Sequence, residues 1–391
     1  MTASTVSRED VVLSVGDTTY LDYCKILAKQ DGYGPQGKGG NGLLLHSAMA
    51  VDPEQGQPLG LLWQKMWNRE HLVKPPANET PQQKKERQAK TRKENRARPF
   101  AEKESYRWVE AMTTVEKLIA TSTRIIHVFD REGDITEVFE KVNTLAHTGV
   151  LVRASHNRSL KDDDPHRLWE KLEAQPIVDY YEVDLIKTKK RQARKAKLAV
   201  RFCSIQLRSP TRLGKDKTLP VYAVYADEVD CPEGEEPVSW MLLTSEAVTT
   251  IEDARKILRW YSYRWRVEEY HKLLKSGCQA ESYRLAAEGM KPLLGFLCVI
   301  AVDLLKLTYL QRTRPEMSVE DVLTSVQIEV LKAKSPQVPA ILTVSWAIET
   351  VARLGGYLEH RRKTPIGIVV LWRGWAKLHD LVEGWQLANQ T

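Results

Sequence analysis

The sequence has few cysteines, and none of them is arranged to bind metal. The five cysteines of this 391-residue chain are scattered, with no C-x-x-C pair and no histidine at zinc-ligand spacing. They are Cys24, Cys203, Cys231, Cys278 and Cys298. This distribution excludes a zinc module and a disulfide framework, and it is typical of the reduced thiols of a cytoplasmic protein.

Long apolar runs are also missing. The longest, residues 293–302, is followed by Asp303 and is shorter than the roughly 20 residues that cross a bilayer. We therefore expect a buried helix there and no membrane partner. Residues 1–10 lack the apolar segment of a signal peptide, which again favours the cytoplasm.

The composition is that of an ordinary globular protein with a moderate positive charge. Hydrophobic residues make up 42% of the chain and charged residues 28%, with a net charge of +7 and a pI near 9.0. A chain of this composition is expected to fold rather than to be intrinsically disordered. They fit a slightly basic globular protein as well as one that binds a polyanion.

The first 160 residues alternate strands and helices in the manner of an α/β protein. Apolar, β-branched runs predict strands at residues 10–17, 43–51, 59–67, 124–130 and 150–153, and helical periodicity predicts helices at 102–120 and 135–145. Six glycines between residues 32 and 42 predict a loop. The charged segment 75–99 predicts an exposed linker or helix, either solvated or in contact with DNA.

The remainder of the chain divides into three predicted parts. Alternating apolar and polar residues predict a β-rich insertion at 161–248. The next part, residues 249–285, contains a long helix predicted at 251–277, and residues 286–391 are predicted to be mostly helical. Together with residues 1–160, these parts predict an α/β fold with a β-rich insertion and a helical C-terminal region.

The helix predicted at 251–277 carries a polar face beside an apolar stripe. Within an arc of about 60° it places a tyrosine, an arginine, a glutamate and a lysine, flanked by a histidine and a second lysine. These residues are Tyr261, Arg264, Glu268, Lys275, His271 and Lys272. A carboxylate among cations suits a protein that holds a metal ion against a phosphodiester and binds the neighbouring phosphates.

Two aspartates at predicted strand ends, Asp17 and Asp130, extend this pattern to three carboxylates with Glu268. Carboxylate oxygens suit Mg²⁺ or Mn²⁺ rather than zinc, and two such ions could support an in-line displacement at phosphorus. The alternative is that each is an ordinary surface acid, with Asp130 a turn residue ahead of a helix N-cap at Asp134.

The spacing Tyr261-x2-Arg264-x3-Glu268-x6-Lys275 resembles the YREK signature of DDE transposases of bacterial insertion sequences, in the insertion-sequence-four group that includes the transposon-five transposase. Four further stretches are similar to this family in the same order. They are Asp17-Thr-Thr-Tyr-Leu-Asp-Tyr, Asp130-Arg-Glu-Gly-Asp-Ile, Trp240-Met-Leu-Leu-Thr-Ser and Arg353-Leu-Gly-Gly-Tyr. The resemblance covers residues 11–387.

The resemblance implies an RNase H-like core, interrupted by the β-rich insertion and followed by helices used for dimerisation. Asp17, Asp130 and Glu268 match the metal-binding and catalytic triad, with Mg²⁺, or Mn²⁺, as cofactor. The residues that match DNA contacts are Tyr261, Arg264, Lys272, Lys275, His271, Arg153, His156 and Trp240. For Trp240, which matches a tryptophan that receives a flipped base, a core position on a strand is the alternative.

The implied activity is metal-dependent cleavage at transposon ends by hydrolysis and hairpin formation, followed by strand transfer. The implied partners are end and target DNA and a second copy of the chain, and the implied location is the bacterial nucleoid. Family members carry an end-binding domain ahead of the first aspartate, whereas sixteen residues precede Asp17 here. The alternative function is therefore a shortened, non-catalytic inhibitor that dimerises with a full-length transposase.

Overall fold

The computed structural model contains one large mixed sheet, helices packed on it and a helical C-terminal region. The structure describes residues 2–24, 32–36, 39–71, 76, 78–161, 164–185, 192–214, 217–358 and 366–389. The α/β class is as predicted, with the sheet built from both halves of the chain up to Thr244.

The first six strands form the part of the sheet that positions the candidate site. They are β1 (Val11–Asp22), β2 (Gly34–Gln36), β3 (Gly39–Val51), β4 (Pro58–Trp67), β5 (Arg124–Phe129) and β6 (Thr148–Arg153). Strand β3 pairs antiparallel with β1, β4 and β2, while β5 runs parallel to both β1 and β6. The resulting order β4-β3-β1-β5-β6 is that of an RNase H-like core.

The predicted β-rich insertion continues the same sheet. It contributes β7 (Asp179–Leu185), β8 (Arg194–Arg208), β9 (Thr218–Val229) and β10 (Ser239–Thr244). These four strands form an antiparallel meander whose last strand, β10, pairs antiparallel with β6. The insertion therefore lengthens the core sheet, and its predicted limits of 161–248 stay a prediction.

Eleven α-helices lie within the described residues. They are α1 (Thr2–Val6), α2 (Pro81–Ala97), α3 (Tyr106–Leu118), α4 (Thr136–Val142), α5 (Leu168–Glu173), α6 (Ile251–Ser262), α7 (Trp265–Lys272), α8 (Ala287–Thr313), α9 (Ser325–Lys334), α10 (Val344–Leu354) and α11 (Ile368–Ala388). Short 3-10 turns occupy Phe100–Glu102, Arg131–Gly133, Thr211–Leu213, Ala280–Ser282 and Val319–Asp321, and a π-turn occupies Leu273–Gly277.

Two large apolar cores separate the helices into groups. One contains Trp108, Phe129 and Phe139, and holds α3 and α4 against the sheet. The other contains Leu13, Val267 and Tyr270, and continues into the C-terminal helices. Both faces of β1 and β5 are buried, which explains why the sequences of these strands are continuous apolar runs.

Three sequence predictions about element limits were wrong. Strand β1 continues past residue 17 to Asp22, because its pairing with β3 extends to Asp22 and Gly42. The glycine-rich loop contains β2 and the start of β3. The helix predicted at 251–277 is broken after Ser262, where Tyr263 caps α6, and its last turn is the π-turn Leu273–Gly277.

The charged segment predicted at 75–99 contains helix α2, and its residues 75 and 77 lie outside the described part of the chain. None of the seventeen residues of α2 is buried. The helix begins with a capping box, in which Thr80 Oγ1 accepts from Gln83 N and the Gln83 side chain accepts from Thr80 N. With no apolar face to pack, α2 stays on the surface as a charged helix.

Helix α8 contains the apolar run predicted to be buried and is longer than that run. By length and composition it is the one helix among the described residues that could cross a membrane, and 56% of its most apolar window is buried inside the fold. That degree of burial is typical of a core helix. Its outer side exposes Phe296 and Val299, one helical turn apart.

Candidate catalytic site

Asp17 lies on β1, and Asp130 directly follows β5, the parallel strand beside it. Strands β1 and β5 pair with Val11 opposite Arg124 and Val15 opposite Val128, so the same register continued places Asp17 opposite Asp130. Gly16 permits the close approach of the Phe129 ring to β1, because a Cβ added at residue 16 would lie 2.8 Å from that ring. The sheet therefore brings together two aspartates that are far apart in the sequence.

The local structure after β5 fixes the Asp130 side chain. Asp130 Oδ1 accepts from Glu132 N at 2.9 Å and so caps the turn Arg131–Gly133. The prediction that Asp134 caps the next helix was wrong, since α4 begins at Thr136 after Ile135. Asp134 is instead buried.

The Asp134 carboxylate organises the segment that follows β6. Asp134 Oδ2 accepts from Ser155 N at 2.7 Å and from His156 N at 3.3 Å, and Oδ1 accepts from Arg158 Nη2 at 2.5 Å. These bonds place His156 beside the turn that Asp130 caps. A buried carboxylate with several donors is a strong anchor for a loop.

Glu268 reaches this region from α7, which packs against β1 and β3. Arg264 precedes α7 and donates to Glu268 Oε1 at 2.6 Å. Arg264 is only 6% exposed and its side chain is positioned to neutralise charge, while its predicted contact with a phosphate stays a prediction.

The three carboxylates interact electrostatically. Burial raises the pKa of Asp130, and the Asp17 carboxylate raises it further. Burial likewise raises the pKa of Glu268, with Asp17 and Asp130 adding to the effect and Arg264 opposing it. Mutual repulsion among these partly buried carboxylates is relieved when a cation binds between them.

The donor set fits a divalent metal ion in chemistry, since Mg²⁺ and Mn²⁺ prefer carboxylate oxygens. Across the described ranges, however, no group of three acidic, histidine or cysteine side chains already stands in ligating positions. Glu268 is engaged by Arg264 instead. Metal binding at this site therefore requires the carboxylate side chains to rearrange.

His271 lies behind Asp17 rather than on the surface. Its side chain is buried, with Nδ1 3.4 Å from Asp17 Oδ2 and Nε2 3.3 Å from Ser47 Oγ. Ser47 is paired with Asp17 across β1 and β3. This buried position suits a role in orienting Asp17, and the predicted DNA contact by His271 stays a prediction.

Tyr261 and Trp240 form a buried aromatic pair. Their rings pack edge to face with centroids 5.3 Å apart, and both side chains are less than 10% exposed, at 2% and 7%. This arrangement is typical of core packing and fits the alternative given for Trp240. Direct contact of either ring with DNA requires that the pair open, and that role stays a prediction.

Arg153 adjoins this pair at the end of β6. Its Nη2 donates to Ser239 O at 2.7 Å. Burial lowers the pKa of Arg153, and the nearby Arg131 and Arg264 guanidinium groups lower it further, while Tyr261 raises it. Three arginines clustered beside Asp130 form a locally positive surface suited to an anion.

The two lysines of the motif remain accessible. Lys272 is exposed at the end of α7, and Lys275 in the π-turn lies 3.4 Å from Glu281 Oε1 with 31% of its side chain exposed. His156 is also exposed and lines a cleft of about 510 Å³ beside the aspartates, together with Thr18, Arg107 and Arg131. These positions are open to a large ligand.

Sequence reasoning missed Ser47, Arg107 and Trp265. Trp265 is 52% exposed, and the Arg264 guanidinium lies 4.7 Å from its ring centre. The signal for Trp265 was present, since it is an aromatic residue inside the motif and off its apolar stripe. Ser47 and Arg107 had no sequence signal, because strand register and helix packing alone bring them to the site.

Comparison with known proteins gives two results. Residues 60–288 match the family model of the transposase DDE domain, a segment that includes Asp130 and Glu268 and begins after Asp17. A chain from a cryo-EM structure of the piggyBac transposase synaptic complex with hairpin DNA is similar at 8% identity and a TM-score of 0.38, over 96% of this chain and 57% of that one. This chain thus spans less than two thirds of that transposase. Because the family match covers more than half of the sequence, the chain belongs to the transposase DDE domain family.

Proposed function

We propose that this chain is a metal-dependent transposase of the YREK group that cleaves DNA at the ends of its element and joins them to target DNA. DDE transposases are phosphoryl-transfer enzymes that generally use divalent metal ions. The observation that carries the proposal is the parallel pairing of β1 with β5, which ends two residues before Asp17 and Asp130, with Glu268 electrostatically coupled to both aspartates. The Tyr261–Lys275 spacing supports assignment to this group.

Asp17, Asp130 and Glu268 would hold the metal, with Mg²⁺ the expected ion and Mn²⁺ a substitute. A bound divalent ion supplies Lewis-acid chemistry, activating the attacking oxygen and stabilising the leaving one. His271 orients Asp17 through Nδ1. Arg264 holds Glu268 before metal binds and adds positive charge beside the reacting phosphate.

DNA is the proposed ligand of the exposed positive groups around this site. Lys272, Lys275 and His156 are accessible for phosphate contacts, and Arg153 adds charge behind them. Such contacts fix the position of the strand without reading its sequence. The proposed order of reactions is hydrolysis, hairpin formation and strand transfer, in the cytoplasm at the nucleoid.

A homodimer is proposed to form through the C-terminal helices. Phe296 is 71% exposed and Val299 is 59% exposed on the outer side of α8. Large exposed apolar side chains grouped on one helix face are typical of a subunit contact. This dimer would bring two catalytic sites to one pair of DNA ends.

The test is DNA cleavage by the full chain on a plasmid that carries the DNA flanking its gene on both sides. We expect cuts at the flanks with Mg²⁺ or Mn²⁺, and losses on the order of 10⁴-fold in Asp130→Asn and Glu268→Gln. Cuts that persist in both variants would contradict the proposal. A chain that never cuts but inhibits a cutting relative supports the inhibitor alternative, and random nicking supports a nonspecific nuclease.

A further inference from the structure

Arg107, on the first turn of α3, makes three hydrogen bonds in three directions. Nε donates to Thr18 Oγ1 at 3.0 Å, Nη1 to Glu104 O at 3.1 Å and Nη2 to Glu132 Oε2 at 2.5 Å. The residue is only 9% exposed. A planar guanidinium with several bonds in fixed directions is a rigid connector.

The partners of Arg107 are neighbours of the two catalytic aspartates. Thr18 directly follows Asp17 on β1, and Glu132 belongs to the turn whose backbone N–H donates to Asp130. One buried side chain thus joins the segment after Asp17 to the segment after Asp130. The pairing of β1 with β5 ends at Val15 and Val128, so Arg107 acts beyond the last paired residues of these strands.

The surroundings of Arg107 hold it in place. The adjacent Trp108 is fully buried, with its ring centroid 4.6 Å from Phe129 and 4.5 Å from His46. His46 Nδ1 lies 2.8 Å from Thr18 Oγ1. Burial holds the pKa of His46 well below its ordinary value, with Arg107 adding to the effect, so the imidazole that shares a hydrogen bond with the Thr18 hydroxyl is neutral.

We propose that Arg107 is a positioning residue that sets the spacing of the Asp17 and Asp130 carboxylates and thereby strengthens divalent metal binding. This inference rests on the proposed function, because it assumes that these two residues hold the metal. It assigns to Arg107 a role that acts through Thr18 and Glu132, without contact with metal or DNA.

A positioning role and a purely electrostatic role of Arg107 predict opposite changes in metal affinity when Arg107 is replaced. Arg107 is a cation near a cation site, so its removal by itself reduces repulsion and leaves Glu132 unpaired, and both changes favour metal binding. A positioning role predicts the opposite, namely weaker binding. An Arg107 that serves stability alone predicts a lower melting temperature with metal affinity unchanged or increased.

The experiment measures Mn²⁺ binding by electron paramagnetic resonance on the full chain with a short DNA duplex present. We expect Arg107→Gln to raise the Kd for Mn²⁺ about 10-fold, within the range known for residues that orient metal ligands. Arg107→Lys keeps the charge but cannot make all three bonds, so an intermediate increase is expected. Thr18→Val removes one partner without any change in charge, and it should weaken binding in the same direction.

The matched control is Arg194→Gln. Arg194 also bridges two acids, Glu228 and Glu235, but in the insertion between β8 and β9 and far along the sheet from the aspartates. It should lower thermal stability and leave the Mn²⁺ affinity as in the wild type.

The outcomes distinguish this inference from the proposed function. Folded Arg107→Gln with unchanged or tighter Mn²⁺ binding overturns the positioning role while leaving the proposed function intact. If Arg107→Gln does not fold, unchanged binding in Thr18→Val overturns it equally. If Asp17→Asn and Asp130→Asn bind Mn²⁺ as tightly as the wild type, the proposed function itself is overturned.

Discussion

His271 Nδ1 lies 3.4 Å from Asp17 Oδ2, and the opposite ring nitrogen lies 3.3 Å from Ser47 Oγ. The histidine is buried, so both contacts are made inside the protein and restrict the orientation of the ring. A histidine with contacts at both ring nitrogens restricts the orientation of the carboxylate it contacts, as residues that hydrogen-bond to metal ligands do. The carboxylate at position 17 is thus oriented from α7, the helix that also carries Glu268.

We therefore predict that His271→Ala lowers the rate of DNA cleavage about 10- to 100-fold with little change in DNA affinity. The measurement is single-turnover cleavage at saturating DNA. Lys272→Ala is the matched control from the same turn, and because Lys272 is exposed it should weaken DNA binding instead. Equal effects of both substitutions on DNA affinity would show that His271 contacts DNA.

The raised pKa of Asp130 predicts a stability cost at neutral pH in the absence of metal. An acid whose pKa is higher in the folded state binds more protons there than in the unfolded chain. The cost therefore appears as pH rises from the ordinary aspartate pKa, about 3.9, through the raised folded value. Asp130→Asn removes the charge, and asparagine still caps the turn Arg131–Gly133.

We expect Asp130→Asn to melt at a higher temperature than the wild type in EDTA at pH 7.5, and the difference to vanish below about pH 3.9. Thermal denaturation followed by circular dichroism checks both points. Added Mg²⁺ should stabilise the wild type more than the variant. A variant less stable than the wild type at pH 7.5 in EDTA would contradict the repulsion inferred at this site.

Local patterns in the sequence were sufficient to predict the strands and the helix that carry the candidate site residues. Asp17 and Asp130 followed apolar runs that are indeed neighbouring strands, and Glu268 lay on a helical face. The burial of Arg264 was not predictable, because helical periodicity places it beside Glu268 on a polar face and only tertiary packing determines that it is covered. Arg107 likewise depends on how α3 packs, a tertiary relationship with no local signal.

Trp240 offers a test between core packing and base recognition. The structure buries its indole against Tyr261, so Trp240→Ala should lower the free energy of unfolding by about 3–5 kcal/mol. Urea denaturation measures the loss, and Trp240→Phe, which refills most of the space, should lose much less. A Trp240→Ala chain with wild-type stability but defective hairpin formation would instead support a base-receiving role.

The exposed apolar pair on α8 predicts a dimer that one charge can break. Phe296→Asp places a carboxylate at the centre of the proposed contact, where burial of an unpaired charge is unfavourable. Sedimentation equilibrium should show the wild type as a dimer, at least with DNA, and this variant as a monomer. Ile341→Asp, at a comparably exposed apolar residue outside α8, is the control and should leave the dimer intact.

Helix α2 presents seven lysines and arginines against two glutamates, with no residue buried. At 100° per residue, Lys85, Arg92 and Arg96 fall within an arc of about 40°, forming a positive stripe along the helix. A helix with no tertiary packing is only marginally stable in water, and phosphates along such a stripe would stabilise it. The stripe therefore favours contact with the DNA backbone over simple solvation.

Replacing these three residues with glutamine should reduce the slope of log K against log salt for DNA binding. Each lost phosphate contact lowers the slope by about 0.9, and three lower it by about 2.7. The matched control replaces Lys84, Arg87 and Lys90, which carry the same charge on the opposite side of α2. Since long-range attraction depends on the total charge, equal slopes for the two triple variants would mean that α2 is a solvated helix without defined phosphate contacts. A larger drop for the stripe variant alone would place the DNA backbone along one side of α2.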